Sequence, residues 1–469
     1  GPKKVKKLYN ELKIKDIDDL KKALKKEKIR EIEGFGKKTE KSIIQSIKQY
    51  EKSQDRMLIN RAMETAEDII KIIKDKAKVK KIDYAGSLRR WKETIGDIDI
   101  LAVAKDSKKI MEAFTKMKDV DNVMLKGDTK STVMLKGGIH VDLRVLPESS
   151  YGAAMQYFTG SKDHNIALRK IAIKKGYKLS EYGIYSKKSG RKLGGKTESE
   201  IYKKVGLKLV PPELRENRGE IEAAKKKKLP SLVELDDIRG DLQMHTSYSD
   251  GDNTVKEMAD AAAEKGYDYI AITDHSKSER IANGMSERQI KKQWKEIEKA
   301  EKKTDIRILR GAEVDILKDG SLDYPDKILK ELDIVLGAVH SGFKSSEKET
   351  TDRIKKAFEN KHLTILAHPT GRMIGKRVGY KVNLDKMYEA AEDNGIILEI
   401  NADPARLDLN DSHIINAKEY KVKFSLGTDA HSTSGLDNMR YGVGQARRGW
   451  LEKKDVINTK TWKQLQKLL

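Results

Sequence analysis

The chain has 469 residues, and its 97 Lys and Arg against 74 Asp and Glu give a formal net charge of +23. At roughly 100–200 residues per domain, this length predicts two to four domains. The absence of Cys excludes disulfide scaffolds, thiolate zinc sites and cysteine nucleophiles, so any metal must be held by His, Asp, Glu or backbone oxygen. No apolar stretch reaches the ~18 residues of a membrane span and no signal region opens the chain, so we expect a cytoplasmic protein without membrane contact.

The positive charge favours a polyanion as the partner, because each Lys or Arg that neutralises a phosphate releases condensed counterions. Nucleic acid is the first candidate. The alternative is a Lys-rich surface that only keeps the protein in solution, as in thermophiles, where Lys and Glu are enriched.

Composition and periodicity divide the chain into regions. Residues 1–56 are short, Lys-rich helical patterns, and residues 57–215 mix helices with strands such as Ile98–Ala104 and Ile139–Leu146. The run Lys225–Lys228 and Pro230 predict a linker over residues 216–236.

Residues 237–469 alternate apolar runs of strand length with helical patterns, which predicts parallel βα units closed as a barrel. The predicted strands are Tyr269–Thr273, Ile306–Leu309, Ile334–Val339, Thr364–Ala367, Ile396–Ile400 and Lys423–Gly427.

The first motif is Gly34-Phe35-Gly36-Lys37-Lys38, between two amphipathic helical segments. Two glycines allow a tight turn and expose amides at the start of the next helix, where an anion is favoured. The alternative is a glycine-capped turn between two core helices. The Lys-rich surroundings favour contact with the DNA backbone by Gly34, Gly36 and Lys37.

The second motif places carboxylates on strands. Residues two apart in a strand point to one face, so Asp97 and Asp99 present both carboxylates together, and Asp142 follows on a later strand. Adjacent carboxylates repel unless cations neutralise them, which predicts a divalent-metal site rather than a solvated face. Three acids on neighbouring strands can hold two metals for phosphoryl transfer.

The third pattern is a set of polar ligand types that stand where apolar runs stop, as at the mouth of a barrel. Single histidines of this kind are usually core or surface residues, but so many in one pattern predict a metal centre. His362 and His413 do not fit the pattern. The candidate ligands are Gln243, His245, Asp250, His275, Glu313, His340, His368, Asp429 and His431.

The acidic triad, with Gly86-Ser87 before it and Tyr157-Phe158-Thr159-Gly160-Ser161 after it, resembles the nucleotidyltransferase core of family X DNA polymerases, the DNA polymerase beta type. The resemblance implies a palm over 57–146, a thumb-like part over 147–215, helix-hairpin-helix elements over 1–56, and an N-terminal truncation. It assigns catalysis to Asp97, Asp99 and Asp142, with two Mg²⁺ or Mn²⁺ ions, and template contact to Arg169. It assigns nucleotide binding to Arg56, Ser87, Arg90, Gly96, Tyr157, Phe158, Gly160 and Asn165.

The C-terminal pattern resembles a polymerase and histidinol phosphatase (PHP) domain over 237–469, a distorted (βα)₇ barrel with up to three Mn²⁺ or Zn²⁺ ions. Its fusion to such polymerases implies a 3′→5′ exonuclease or 3′-end-processing phosphoesterase, with endonuclease activity at abasic sites known among the fusions. The usual first motif is His-x-His, and here Gln243 takes the first position. Since an amide offers only a neutral oxygen, we expect one metal to bind more weakly or to differ in identity.

The fold class predicted is therefore multidomain α+β and α/β. The leading hypothesis is a monomeric prokaryotic repair polymerase that fills short gaps, as in base excision repair, on primer-template DNA with deoxynucleoside triphosphates. One alternative is a template-independent nucleotidyltransferase. Another is that the C-terminal half is a metal-stabilised scaffold that binds DNA ends without catalysis.

Overall fold

A computed structural model describes residues 2–14, 16–32, 34–37, 39–41, 43–44, 47 and 56–469. The chain forms two compact units, residues 1–57 and 58–469. The first contains helices α1 (Pro2–Leu12) and α2 (Ile17–Lys25) and a 3₁₀ turn (Lys28–Glu31). The core of this unit contains Leu8, Ala23, Leu24, Ile29, Ile32 and Phe35.

The second unit begins with a mixed sheet flanked by helices. The helices are α3 (Ile59–Lys76), α4 (Gly86–Arg89) and α5 (Ser107–Thr115). The strands are β1 (Lys81–Tyr84), β2 (Asp97–Val103), β3 (Val120–Lys126), β4 (Lys130–Leu135) and β5 (His140–Val145). Their order is β1-β2-β5-β4-β3, and β2 and β5 are parallel.

A smaller α/β part follows in the same unit. It contains α6 (Tyr151–Thr159), α7 (Lys162–Lys174), the antiparallel strands β6 (Tyr177–Ser180), β7 (Gly183–Ser186) and β8 (Lys192–Gly194), and α8 (Glu198–Lys204). Ser161 caps α7 by accepting a hydrogen bond from the N–H of His164.

The segment predicted as a linker, 216–236, is folded. It contains helix α9 (Glu220–Lys225), and Ile221 and Ala224 pack in one apolar cluster with Leu168 and Ile201. The lysines that suggested a linker are exposed at the end of this helix. A short helix with one buried face and a charged exposed end produces the same Lys-rich sequence signal as a linker.

The rest of the second unit is a parallel barrel. Its strands are β9 (Gly240–Asp241), β10 (Tyr269–Ile272), β11 (Arg307–Asp315), β12 (Ile334–Ala338), β13 (Ile365–Leu366), β14 (Ile397–Asn401) and β15 (Phe424–Gly427). Its helices are α10 (Val255–Glu264), α11 (Glu287–Glu301), α12 (Asp326–Leu329), α13 (Glu347–Phe358), α14 (Leu384–Asn394), α15 (Asp411–Lys418), α16 (Met439–Arg448) and α17 (Trp462–Leu465). Each strand pairs with the next strand along the chain, as expected for consecutive βα units.

The two edge strands, β9 and β15, close the barrel just beyond their carboxyl ends. Met244 and Ala430 form a parallel bridge, and the N–H of Asp429 donates to the carbonyl of Gln243 at 3.0 Å. Closure therefore brings side chains from the first and last strands to one mouth. The predicted fold class, a multidomain α+β and α/β chain ending in a barrel of seven strands, is confirmed.

One strand differs from its prediction. β11 continues to Asp315, well beyond the predicted run Ile306–Leu309, so Glu313 lies inside the strand and not after a turn. Glu313 pairs with Leu336 of β12 and is 1 % exposed. The apolar run stops before Arg310 in the sequence. The strand continues because its hydrogen bonds are made by the backbone and do not depend on the polarity of the side chains.

Among the residues that the structure describes, none of the helices combines the length and the apolar character needed to cross a bilayer.

Truncation of a barrel-core side chain tests the packing. Phe424 on β15 is 0 % exposed, so Phe424→Ala should lower the free energy of unfolding by about 3–5 kcal/mol through lost burial and a cavity. Urea unfolding followed by circular dichroism measures this. Val378→Ala is the control, because Val378 is 98 % exposed and its truncation should change the value by less than ~0.5 kcal/mol. Equal effects of the two changes would contradict the described packing.

Candidate active sites

The structure brings the three predicted palm carboxylates together. At the start of β2 the burial alternates: Ile98 and Ile100 are buried, whereas Asp97 is exposed and Asp99 half-buried. Asp142 of β5 lies directly opposite Asp99 across the parallel pair. The cluster thus depends on strand register and not on a loop.

Repulsion within this cluster contributes to a raised pKa of one carboxyl group, that of Asp99. Burial, and then the neighbouring charges of Asp97 and Asp142, raise the pKa of Asp99 to about 7. A carboxyl with this pKa is easily protonated near neutral pH unless a cation compensates the negative charge. The donor set therefore fits divalent metal ions, with carboxylate oxygens only, as Mg²⁺ and Mn²⁺ prefer.

Gly86, at the start of α4, is packed directly against this cluster. A Cβ at this position would lie 2.7 Å from Oδ2 of Asp99, and the backbone φ is +64°, a left-handed conformation that favours glycine. The turn thus requires Gly for both space and backbone shape. It places Ser87, half-buried in the same helix, beside the carboxylates.

Asp142 is oriented by neighbours on the same sheet. The hydroxyl of Thr132 on β4 donates to its Oδ1, and Arg144 lies 3.5 Å from its Oδ2. The guanidinium of Arg144 also stacks over the ring of Phe158, 4.5 Å from the ring centroid. Thr132 and Arg144 were not singled out in the sequence, although Arg144 follows Asp142 at the same-face spacing of two.

Some of the predicted nucleotide-binding residues lie near the carboxylates or near Arg90. Gly96 immediately precedes Asp97, and Gly160 ends α6, where a Cβ would lie 3.1 Å from Nη1 of Arg90. Tyr157 and Phe158 stand edge to face, with ring centroids 5.1 Å apart.

Other predicted contact residues are placed differently. Asn165 is buried: its Oδ1 accepts from Gln156 and its Nδ2 donates to the carbonyl of Tyr157. Arg169, one turn later on α7, is exposed. Arg56 is exposed and belongs to the first unit.

A buried ion network next to the Gly86 turn was not predicted. Glu198 at the start of α8 bonds Arg89 at 2.6 Å and Arg215 at 2.6 Å. Although burial opposes its ionisation, Arg215 and Arg89 lower the pKa of Glu198 to about 2. No local pattern points to these residues, because the three are brought together from separate segments.

The nine predicted barrel ligands converge at one mouth. Groups whose ligand atoms lie within 4.8 Å of one another are His245, Asp250, His275 and His431; His275, Glu313 and His340; and His245, Glu313 and Asp429. His368 and Gln243 join these groups through Glu313. Nε2 of His368 lies 2.7 Å from Oε1 of Glu313, and Nε2 of Gln243 donates to Oε2 of Glu313 at 3.0 Å. His362 and His413 belong to none of these groups, as expected.

Glu313 lies at the centre of this cluster. Burial opposes its ionisation, but His275 and His368 hold the pKa of Glu313 well below its ordinary value. Burial also opposes the charged form of His340, yet Asp315 and Glu313 raise its pKa to about 10. Glu313 and Asp315 therefore favour a proton on His340, a charge that metal ions can supply instead, whereas burial lowers the pKa of His275 to about 3 and keeps that ring neutral.

An unpaired buried nitrogen supports a metal centre. Nδ1 of His245 is buried without a hydrogen-bond partner among the described residues, and the His245 ring stacks between those of His275 and His431, at 4.4 Å from each. A buried imidazole nitrogen without a partner needs an explanation, and a bound metal ion would supply one, since His is the commonest metal ligand. The donor set, with N and O atoms and no S, fits Mn²⁺ or Zn²⁺.

Gln243 is fully buried in this cluster. Its Nε2 donates to Glu313 at 3.0 Å and its Oε1 accepts from Asn401 at 3.4 Å. Only Oε1 is available to a metal ion, since the amide nitrogen carries no lone pair for coordination. Weaker binding of one metal at this position stays a prediction.

Four polar residues of the mouth were missed, and one of them, Glu279, forms a further group of possible ligands with Asp315 and His340. Glu399 accepts a hydrogen bond from the N–H of His368, Asn401 donates to Asp429, and Asp315 bonds Nδ1 of His340. The signal for Glu399 was present: a carboxylate inside the apolar run Ile396–Ile400 is costly unless it serves a site.

The predicted hairpin of the first unit is a turn with a buried aromatic ring. Phe35 is 2 % exposed, and the carbonyl of Gly36 accepts from the N–H of Glu40 at the start of the next helical turn. Gly34 and Lys37 are exposed, as phosphate contact requires, and Lys38 lies outside the described residues.

Comparison with known families agrees with this division. Residues 154–216 match the DNA polymerase beta thumb, residues 241–403 match the PHP domain, and residues 1–49 match the SAM-like helix-hairpin-helix tandem.

The relatives define the class of protein. The chain is 40% identical over its whole length to the DNA polymerase/3′-5′ exonuclease PolX of Bacillus subtilis, of which it covers 82%. A probable phosphatase of Thermoanaerobacter sp. strain X514 is 30% identical over 47% of the chain and 89% of its own length. A repair DNA polymerase X of African swine fever virus is 28% identical over 33% of the chain and 89% of its own length. The chain belongs to the family X DNA polymerases that carry a C-terminal PHP domain.

Filling the space beside the palm cluster should disturb it. Gly86→Ala puts a methyl group against Asp99, and we expect nucleotide incorporation to fall about 100-fold, because a 1 Å displacement of a catalytic group has effects of this size. Single-turnover incorporation measures it. Gly190→Ala is the matched control: its φ is +68° and a Cβ there meets nothing within 4 Å, so it should lose only ~1 kcal/mol of stability. Equal incorporation by both variants would contradict the described contact.

The central carboxylate of the barrel should control metal binding. Glu313→Gln keeps the shape but removes the charge that faces His275, His340 and His368, so purified protein equilibrated with Mn²⁺ should retain fewer ions per chain. Elemental analysis after gel filtration measures the stoichiometry. His362→Ala removes a histidine outside the cluster and should bind as the unchanged protein does. An unaltered metal content in Glu313→Gln would refute the ligand assignment.

Proposed function

We propose that this protein fills short gaps in DNA from a primer end, using deoxynucleoside triphosphates on a template, and removes nucleotides from 3′ ends in its barrel. The observation that carries the polymerase half is the parallel pair β2–β5, which sets Asp99 opposite Asp142 beside Asp97. The observation that carries the nuclease half is the convergence of the predicted ligands around Glu313.

In the palm, Asp97 and Asp99 would hold two Mg²⁺ or Mn²⁺ ions, and Asp142 would share one of them. When bound, these ions neutralise the triphosphate and lower the pKa of the primer 3′-hydroxyl. Asp142, oriented by the hydroxyl of Thr132, would accept the proton of the primer 3′-hydroxyl as the primer oxygen attacks the α-phosphate and the bond to the leaving phosphates breaks. Pyrophosphate then leaves.

The turn around Gly86 positions the triphosphate. Ser87 offers a hydroxyl and Arg90 a guanidinium on the side of Asp99 where the leaving phosphates would lie. Tyr157 and Phe158 present ring faces and edges at the end of α6, suited to packing under the incoming sugar. Arg169, which is exposed, is proposed to contact the template. Lys37, together with Gly34 and Gly36, is proposed to contact the DNA backbone.

In the barrel, the histidine and carboxylate set would hold up to three Mn²⁺ or Zn²⁺ ions. When bound, they activate water and offset the charge of the terminal phosphodiester. Asp315 and Asp429 orient His340 and His245 by contacts of 2.5 and 3.1 Å. The same cluster would suit a 3′-phosphate, since both substrates present a phosphate ester at a 3′ end.

Separation of the two activities tests this proposal. Asp142→Asn should abolish gap filling (~1000-fold or more, as for loss of a group bound to a catalytic metal) and leave Mn²⁺-dependent degradation of a 3′ end unchanged. His275→Ala should do the reverse. Each variant is the control for the other. The assay uses a one-nucleotide gap with each of the four nucleotides in turn.

The outcomes distinguish the alternatives. Incorporation of all four nucleotides with equal efficiency would favour template-independent transfer. Degradation that survives His275→Ala and Glu313→Gln would leave the barrel as a scaffold without catalysis.

A further inference from the structure

Arg90, the proposed triphosphate ligand, is held by residues outside the palm. Its Nε donates to Oε1 of Glu216 at 3.1 Å, and its Nη1 donates to the carbonyl of Thr159. Neither contact uses Nη2. Side chains of Arg90 and Glu216 are 13% and 14% exposed, so the pair is largely shielded from solvent and its geometry is well defined.

Glu216 is in turn bound by an arginine of the barrel. Nη1 of Arg448, at the end of α16, donates to Oε1 of Glu216 at 2.9 Å and to the backbone carbonyl of Arg90 at 2.6 Å. The Arg448 side chain is 2% exposed. One buried nitrogen of the barrel thus contacts both the backbone of Arg90 and the carboxylate that holds its guanidinium.

The barrel also fixes Arg448 from behind. Its Nη2 donates to Oδ2 of Asp411, the first residue of α15, and the same oxygen pairs with Arg218 at 3.1 Å. Burial opposes ionisation of Asp411, but Arg448 and Arg218 lower its pKa to about 2. Burial likewise opposes ionisation of Glu216, yet Arg448 and Arg90 lower its pKa. Both carboxylates are therefore charged at neutral pH.

The backbone next to Arg90 is docked on the same barrel helix. The ring of Trp91 lies against Gly444 of α16, where a Cβ would come within 2.4 Å of the ring, and Tyr441 stands edge-on to it with centroids 6.3 Å apart. This close approach requires glycine at 444. Ionic and apolar contacts therefore hold the same short segment, Arg90–Trp91, against the barrel.

We infer that Arg448 of the barrel is a positioning residue of the polymerase site: through Glu216 it sets the guanidinium of Arg90 in place to receive the triphosphate. The inference rests on the proposed function of Arg90. It gives the barrel a second role, separate from hydrolysis, as a support for nucleotide binding in the palm.

The test is steady-state filling of a one-nucleotide gap by the full chain. Arg448→Met keeps the apolar stem and removes the charge, and we expect KM for the nucleotide to rise about tenfold with kcat changed less than ~threefold, since a ground-state contact is loosened. Glu216→Gln, nearly isosteric, should have the same effect. Because the two act through one chain of contacts, the double variant should be no worse than the more affected single variant.

The control is Arg447→Met on the same helix. Arg447 donates to Glu213 at 2.7 Å and to the carbonyl of Val233 at 3.0 Å. It therefore links the barrel helix to the preceding segment without contacting Arg90. The KM of Arg447→Met for the nucleotide should equal that of the unchanged protein. Degradation of a 3′ end should proceed at the unchanged rate in all these variants, which also shows that they are folded.

Four outcomes would overturn the inference: an unchanged KM in Arg448→Met, an equal rise in Arg447→Met, additive effects in the double variant, or a lower KM in Glu216→Gln, which would mean that Glu216 competes with the triphosphate. Asp142→Asn is assayed alongside. If that variant fills gaps normally, the proposed polymerase site fails on its own account, whichever result Arg448→Met gives.

Discussion

Asp99 and Asp142 stand opposite each other on parallel strands, and burial, followed by the charges of Asp97 and then Asp142, raises the pKa of Asp99 to about 7. Strand register makes this repulsion unavoidable, because same-face residues of paired strands cannot move apart without loss of the ladder. The sheet thus holds a concentration of negative charge that a proton or a cation must relieve. The Gly86 turn and the strand β4 that supplies Thr132 lie against that charge.

The barrel concentrates charge by a different route. Its candidate ligands come from separate strands, and closure between β9 and β15 brings His245, which follows the first strand, within 3.1 Å of Asp429, which follows the last. Imidazoles intervene between carboxylates, so protons can balance the cluster before metal ions do. In the palm, the compensating side chains are cations at one edge: Arg144 and Lys130 lie 3.5 and 3.9 Å from Oδ2 of Asp142. Burial and the charges of Asp97 and Asp142 still raise the pKa of Asp99, whereas the histidines around Glu313 lower the pKa of that carboxyl.

The two catalytic regions are joined by more than chain connectivity. Residues 216–236, which read as a linker, fold into the contact between them, and Glu216 is shared by an arginine from each side. Helix α16 also accepts the ring of Trp91 at Gly444. These contacts hold the Arg90 guanidinium in one conformation, so it has less conformational entropy to lose when a ligand binds.

The amino-acid sequence by itself determined most of the barrel strands, the palm carboxylates and the nine candidate ligands of the barrel, because a period of two and the end of an apolar run are local properties that can be read along the chain. It did not show that β11 continues through Glu313. Tertiary structure alone decided which distant residues meet. Glu198 next to the Gly86 turn, Glu399 in the barrel mouth and Arg448 against Glu216 were not predicted, and Asn165 turned out to be buried. Such contacts depend on how sheets close and how helices dock, and no short segment records the position of its partner.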